Sequence, residues 1–218
     1  MNNEYHFNID KSLFNIFSSD NLTNIITKYQ INKYYELNQI HSTIVNIVDN
    51  DYQNKLDGDA MITNLKNIAL VIRTADCIPI ILYDAKKQVL GVVHSGWKGT
   101  LNSIVKEAIK KMITIYQVDI KDIKAYLYPS IRKCHFEVDE DVYNEFKDKI
   151  KDIDKYTLKK NNKYYIDLQS IVINDLQDSG ITSIEDANIC TYCHHDKYHS
   201  YRYNHTDQRN YLIAMIKE

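Results

Sequence analysis

A chain of 218 residues with 44% hydrophobic and 26% charged residues has enough apolar material to bury a sizeable core. Its formal net charge of −2 argues against nucleic acid or an acidic membrane surface as a partner, since both need concentrated Lys and Arg. No apolar run approaches the roughly 18 residues of a spanning helix, and the polar start MNNEYHFNID lacks the basic and apolar regions of a signal peptide. A cytoplasmic protein is therefore expected. The four Cys residues then read as thiols for metal binding or catalysis before they read as a disulfide framework.

In chain order, Leu22 to Tyr29 fits a short helix with Ser19 or Asp20 as its cap. The segment 34–48, YYELNQIHSTIVNIV, reads as one strand or two, and the period of two puts Gln39 and His41 on the same side. A polar loop follows over 50–60, with Asp57-Gly58 as a turn signal. Three apolar runs come next: AMITNLKNIALVIRT, CIPIILYDA and QVLGVVHSG. The last two are nearly continuous in Ile, Val and Leu and flank Asp84 to Gln88, which predicts a hairpin of strands buried on both faces. Leu101, Ile104, Val105, Ala108, Ile109 and Met112 then fall at helical spacing and predict a helix over 98–115. A strand over 123–129, a helix over 139–150, a strand over 163–168 and a helix over 168–178 stopped by Gly180 follow. The tail YLIAMIKE suits a final buried strand or helix. With no linker and no repeat, the chain 1–218 reads as one mixed α/β domain.

The chemistry concentrates between Arg73 and Thr100. Cys77 and His94 each stand at the edge of an apolar run, and His41 stands upstream on a predicted strand. Catalytic zinc usually takes three protein ligands and keeps a fourth position open. Strand ends converge at a sheet edge, so these three residues can share such a site. HSGWKG beside His94 reads either as an anion-binding helix start reinforced by Lys98, or as a tight turn with Trp97 packed in the core. CTYCHH, 190–195, offers CxxC with His194, His195 and His199 nearby, open to a structural zinc, a redox or a pocket-wall reading. Cys134-His135 precedes an acidic helix start, Glu137 to Asp141, and reads as the approach to a capped N-terminus.

TADCIPIILYDAKKQVLGVVHSGWKGT resembles the signature of the YfiH, or laccase-domain, family, also called polyphenol oxidases, whose mammalian member is FAMIN. LNQIHS, DGDAMIT, YPSIRKCHFEV and the ending CTYCHHDKYHSYRYNHTDQRNYLIAMI extend the resemblance over about 38–216. The first 30 residues do not show the family's opening and look divergent or shortened. The resemblance implies an α/β fold of mixed sheets with flanking helices, thought to be shared with deamidase toxins. It implies purine nucleoside phosphorylase and adenosine deaminase activities, with purine nucleoside and phosphate as small-molecule partners. It assigns the metal, zinc or else copper, to His41, Cys77 and His94, and sets CTYCHH along the active site instead of at a structural zinc.

On that basis Cys77 and His94 are catalytic, with Asp76 as acid/base or as the carboxylate orienting a His ligand. Arg73, Lys98, Arg202 and Arg209 are the candidate phosphate contacts, and Trp97, Tyr192 and Tyr201 the candidate purine-stacking rings. Three other readings stay open: a metal-free hydrolase with Cys77 as nucleophile and His94 as base, a copper-dependent phenol oxidase, and an inactive metal-binding module.

Overall fold

The computed structural model describes residues 3–218. The N-terminal segment gives β1 (Glu4–Tyr5), β2 (Leu13–Ser18) and α1 (Leu22–Lys28). The helix α1 is capped by Asn21, whose side chain accepts from the Thr23 N–H, and not by Ser19 or Asp20. Next come β3 (Tyr34–Glu36), β4 (Val45–Ile47), β5 (Ala60–Thr63), β6 (Ala69–Thr74), β7 (Ile78–Asp84) and β8 (Val89–Ser95). Two helices follow, α2 (Trp97–Leu101) and α3 (Ile104–Tyr116), then β9 (Ile123–Leu127), β10 (Glu137–Val138) and α4 (Glu140–Lys149). The chain ends with β11 (Thr157–Lys160), β12 (Lys163–Ile166), α5 (Leu168–Asp178), β13 (Ser183–Asp186), α6 (Tyr201–Asn204) and β14 (Asn210–Ile216).

Two mixed sheets carry the structure. One runs β1-β2-β14-β6-β3, and the other runs β13-β9-β7-β8-β5-β4. A small antiparallel sheet, β10-β12-β11, lies apart from them. The alternation of side chains explains how they stack. On β7, Ile78, Ile80 and Leu82 join a core with α3 and α5, whereas Ile81 and Tyr83 join a second core with Leu70, Ile72 and Leu212 of the other sheet. The other sheet in turn sends Ala69, Val71 and Ile213 outward against Ile25 of α1. The layers are therefore helix, sheet, sheet, helix. Every residue of β7 and β8 is buried, which is why both read as continuous apolar runs.

The expected hairpin is present, with Ile78 opposite Ser95 and Pro79 opposite His94. The tail is a strand: β14 sits between β2 and β6. Two expectations change. The single helix over 98–115 is broken, because Ser103 takes a left-handed conformation at φ 54° and α3 starts afresh at Ile104. Asn102 and Ser103 are poor helix-interior residues, and the break re-aims Ile104, Val105 and Ala108 onto the sheet. The segment 34–48 is also interrupted. Leu37 to Ile44 form a loop between β3 and β4, and His41 has φ 59°. Strand alternation therefore does not orient His41. Residues 4–18 of the N-terminal segment extend the first sheet through β1 and β2. Among the described residues, no helix is long and apolar enough to cross a membrane.

Candidate active site

The β7–β8 hairpin builds half of the site. Cys77 immediately precedes β7 and His94 lies next to the end of β8, so the antiparallel register sets them side by side. The loop 37–44 brings His41 over them. Its Nε2 lies 3.9 Å from Cys77 Sγ, and its ring centroid lies 5.0 Å from that of His94. One ligand atom from each of the three falls within 4.8 Å of the others. The expected trio is thus assembled.

What holds the trio is Asp59, a residue the sequence reading passed over inside DGDAMIT. Asp59 is fully buried on the approach to β5. Its Oδ1 pairs with His94 Nδ1 at 2.8 Å and accepts the His41 backbone N–H at 3.0 Å. Its Oδ2 accepts the Ser42 hydroxyl at 2.7 Å and the Ser42 N–H. Its carbonyl accepts the His94 N–H at 2.7 Å. For the neutral imidazole, one carboxylate therefore fixes the His94 tautomer with Nε2 turned toward Cys77, and it ties down the loop that carries His41. Burial alone would raise the Asp59 acid, but the donors from His94 and Ser42 hold it down at about 2. The aspartate sat in plain view in the sequence; its partners are set by a loop whose path is not periodic.

The same groups shift one another. Burial opposes charge on both Cys77 and His94, yet the pair overcomes it. His94, then His41, bring the Cys77 thiol down to about 6, and Cys77 and Asp59 raise His94 to about 9. With no metal bound, the thiolate and imidazolium stabilise each other.

Gly96 is needed here for space. Its φ is −73°, open to any residue, but a Cβ would fall 2.8 Å from His41 Cδ2 and 3.2 Å from Cys77 Sγ. The Gly of HSGWKG therefore lets the turn pass against two of the three candidate ligands. The helix that follows has only five residues, and Trp97 is half-buried against Phe146.

A cleft of about 560 Å³ opens over the trio, within the range of small-molecule sites. Arg73, Arg202 and Arg209 line it, as do Trp97, Phe136 and Tyr201. Lys98 does not; its ammonium lies 5.4 Å from the Trp97 ring centroid and is exposed. Tyr192 is also elsewhere, stacked on His135 at 3.9 Å. Arg202 donates to the carbonyls of His135 and Glu137 at 3.1 and 2.8 Å, which aims its guanidinium along the cleft wall. Asp76, at φ 87°, accepts from Thr191 Oγ1 and from the Arg202 N–H, each at 2.7 Å. Both of its oxygens thus tie the residue before Cys77 to the C-terminal loops and meet no histidine, so the carboxylate that orients a His ligand is Asp59 and not Asp76.

One thiol and two imidazoles, with one imidazole fixed from behind by a carboxylate, form a donor set that suits a borderline-soft divalent cation such as zinc. Residues 18–217 match the family described as multi-copper polyphenol oxidoreductase laccase. The chain belongs to that family. It is 36% identical to a purine nucleoside phosphorylase of Clostridium acetobutylicum over 92% of this chain and 82% of the other. It is 34% identical to a purine nucleoside phosphorylase of Borreliella burgdorferi, over 91% and 85%. A human purine nucleoside phosphorylase is 29% identical over 87% of this chain and 48% of its own. Among solved structures, a Neisseria meningitidis protein superposes with a TM-score of 0.87 at 21% identity, over 99% of this chain and 98% of the other. The Bacillus licheniformis hypothetical protein YfiH does so at 0.83 and 23%, over 89% and 79%. These two comparisons bear on the fold alone.

Proposed function

We propose that this family member is a zinc-dependent purine nucleoside phosphorylase that also deaminates adenosine, with His41, Cys77 and His94 holding the metal. The observation that carries the reading is the convergence of those three side chains in a cleft that three arginines and three aromatic rings also line. The names of the relatives at 36 and 34% identity support the reaction class.

The metal, when bound, would supply a Lewis acid in the cleft. Arg73, Arg202 and Arg209 bring cationic donors to the cleft lining, where phosphate can be held and oriented. Trp97, Phe136 and Tyr201 offer flat apolar faces for a purine. In phosphorolysis of adenosine, inosine or methylthioadenosine, a phosphate oxygen forms the bond to ribose C1′ as the C1′–N9 bond breaks. The purine leaves with the bonding electron pair and takes up a proton. In deamination, water replaces the amino group at C6 and ammonia leaves. Asp59 acts throughout by holding His94 and the His41 loop, as a positioning residue.

A second reading has a specific observation in its favour. Cys77, His94 and Asp59 also form the order nucleophile, base, orienting carboxylate, with the His94–Asp59 contact at 2.8 Å. One experiment separates the two. Purified protein is stripped with a strong chelator, divided, and assayed with and without restored zinc for conversion of adenosine to inosine and for phosphate-dependent release of base. Metal-dependent turnover with formation of ribose 1-phosphate supports the phosphorylase. Turnover that survives chelation and dies on alkylation of Cys77 supports the metal-free hydrolase and ends the first reading.

A further inference from the structure

The cysteines of CTYCHH do not meet the nearby His195 and His199. His195 Nδ1 contacts the Tyr192 carbonyl at 3.0 Å, and His199 Nε2 contacts the Ser19 carbonyl at 2.9 Å. Instead Cys190 and Cys193 meet Cys134 and His135, 55 residues upstream of Cys190. The parallel pairing of β13 with β9 explains the meeting, because the loops that follow these strands leave the same sheet side by side. Ser130 bridges to Cys190, with Ser130 N–H to Ile189 carbonyl at 3.2 Å and Thr191 N–H to Ser130 carbonyl at 3.1 Å. Arg132 locks the two loops with a bidentate pair to Asp186, both bonds 2.7 Å.

We propose that Cys134, His135, Cys190 and Cys193 hold a second zinc ion, with a structural role. The distances argue for a shared centre. Cys134 Sγ lies 3.7 Å from Cys190 Sγ and 3.8 Å from Cys193 Sγ, and His135 Nδ1 lies 3.2, 3.3 and 4.0 Å from the sulfurs of Cys134, Cys193 and Cys190. Zn–S bonds of about 2.3 Å at tetrahedral angles separate sulfurs by about 3.8 Å. A disulfide would single out one partner for Cys134, whereas the geometry gives it two at equal range. Three sulfurs and one imidazole nitrogen, all within 4.8 Å of one another, make the Cys3His set that zinc takes when its coordination is closed. The His135 ring is already oriented, stacked on Tyr192 with planes 16° apart.

The ion would clamp one wall of the cleft. Thr191, between the two cysteines, holds Asp76 beside Cys77, and the His135 carbonyl holds Arg202. The set escapes a linear reading because its halves are a lone Cys-His and a CxxC. Neither carries the second spaced pair by which zinc motifs are recognised in sequence.

Native mass spectrometry of zinc-loaded protein tests the proposal, using the wild-type chain, Cys77→Ala and the double variant Cys134→Ser/Cys193→Ser. We expect two zinc ions per chain in the wild type, one in Cys77→Ala and one in the double variant. Cobalt replacing zinc in Cys77→Ala should show intense thiolate-to-cobalt charge transfer and tetrahedral visible bands, which decides the matter if the double variant fails to fold. A folded Cys77→Ala with no bound metal overturns the proposal. So does a Cys134–Cys190 or Cys134–Cys193 disulfide in protein purified without oxygen. One zinc that persists in Cys77→Ala and is lost in the double variant supports this second site and removes the metal from His41, Cys77 and His94.

Discussion

The candidate active site has a half held by strands and a half held by loops. Cys77 and His94 flank a hairpin whose backbone ladder fixes their spacing, with every residue of both strands buried. His41 and Arg209 come from irregular segments and Arg202 from the four-residue helix α6, and His41 takes φ 59° in a loop held by one aspartate. A ligand at the end of a buried strand inherits its position from the core. A ligand on a loop needs its own anchor, so the position of His41 depends on the carboxylate that holds its loop.

The sharpest break is in the strand-held half. Cys77→Ala should abolish turnover, on the order of 10³-fold or more in kcat, because groups that act as a unit fail together. Metal analysis of the same variant should show one zinc fewer than the wild type. In metal-free protein the Cys77 thiol, at about 6, should be alkylated first as pH rises through that value. Cys134 should lag, because burial and the neighbouring Cys190 and Cys193 push it up to about 12. Alkylation is slow below each value, where the thiol is protonated, and fast above it, so a peptide map at pH 7 to 8 should show Cys77 modified and Cys134 intact.

Asp59→Asn tests the anchor of the loop-held half. Loss of an orienting carboxylate typically weakens a metal site by about 10- to 100-fold. The variant should bind zinc more weakly by titration calorimetry and recover turnover at raised zinc. Unchanged affinity would show that the His41 loop and the His94 tautomer do not depend on Asp59.

Much of the fold was legible because its signals are local. The buried hairpin, the amphipathic stripe of α3, and α5 stopped before Gly180 follow from hydrophobic period and capping. Cys77 and His94 were legible for the same reason, being placed at strand edges. His41 was named from its donor chemistry and from resemblance, but its position comes from hydrogen bonds to Asp59, which no periodicity encodes. The break at Asn102–Ser103 and the meeting of Cys134-His135 with CTYCHH were not legible, since both depend on how separate elements pack.

Gly96 lies where the two halves touch. Gly96→Ala should crowd His41 and Cys77 and cost about tenfold in zinc affinity, within the range for displaced ligand support. Gly99→Ala should cost less, because its nearest neighbour, a methyl group of Ile104, stands 3.4 Å from the added Cβ. Equal effects would mean that both glycines serve the turn alone. The smallest effect should come from Lys98→Ala, which removes an exposed charge outside the cleft lining. Its KM for phosphate should change less than about twofold, as for substitutions away from such sites. A large rise in KM would return Lys98 to the phosphate contacts first expected of it.

The central claim is metal-dependent phosphorolysis of a purine nucleoside. Its most direct test is to follow inosine by chromatography in phosphate buffer, with chelator-stripped protein and the same protein after zinc is restored. The account predicts no conversion in the stripped sample. In the restored one it predicts hypoxanthine and ribose 1-phosphate in equal amounts, dependent on phosphate. Release of base with free ribose and no need for phosphate, or equal turnover in both samples, would contradict it.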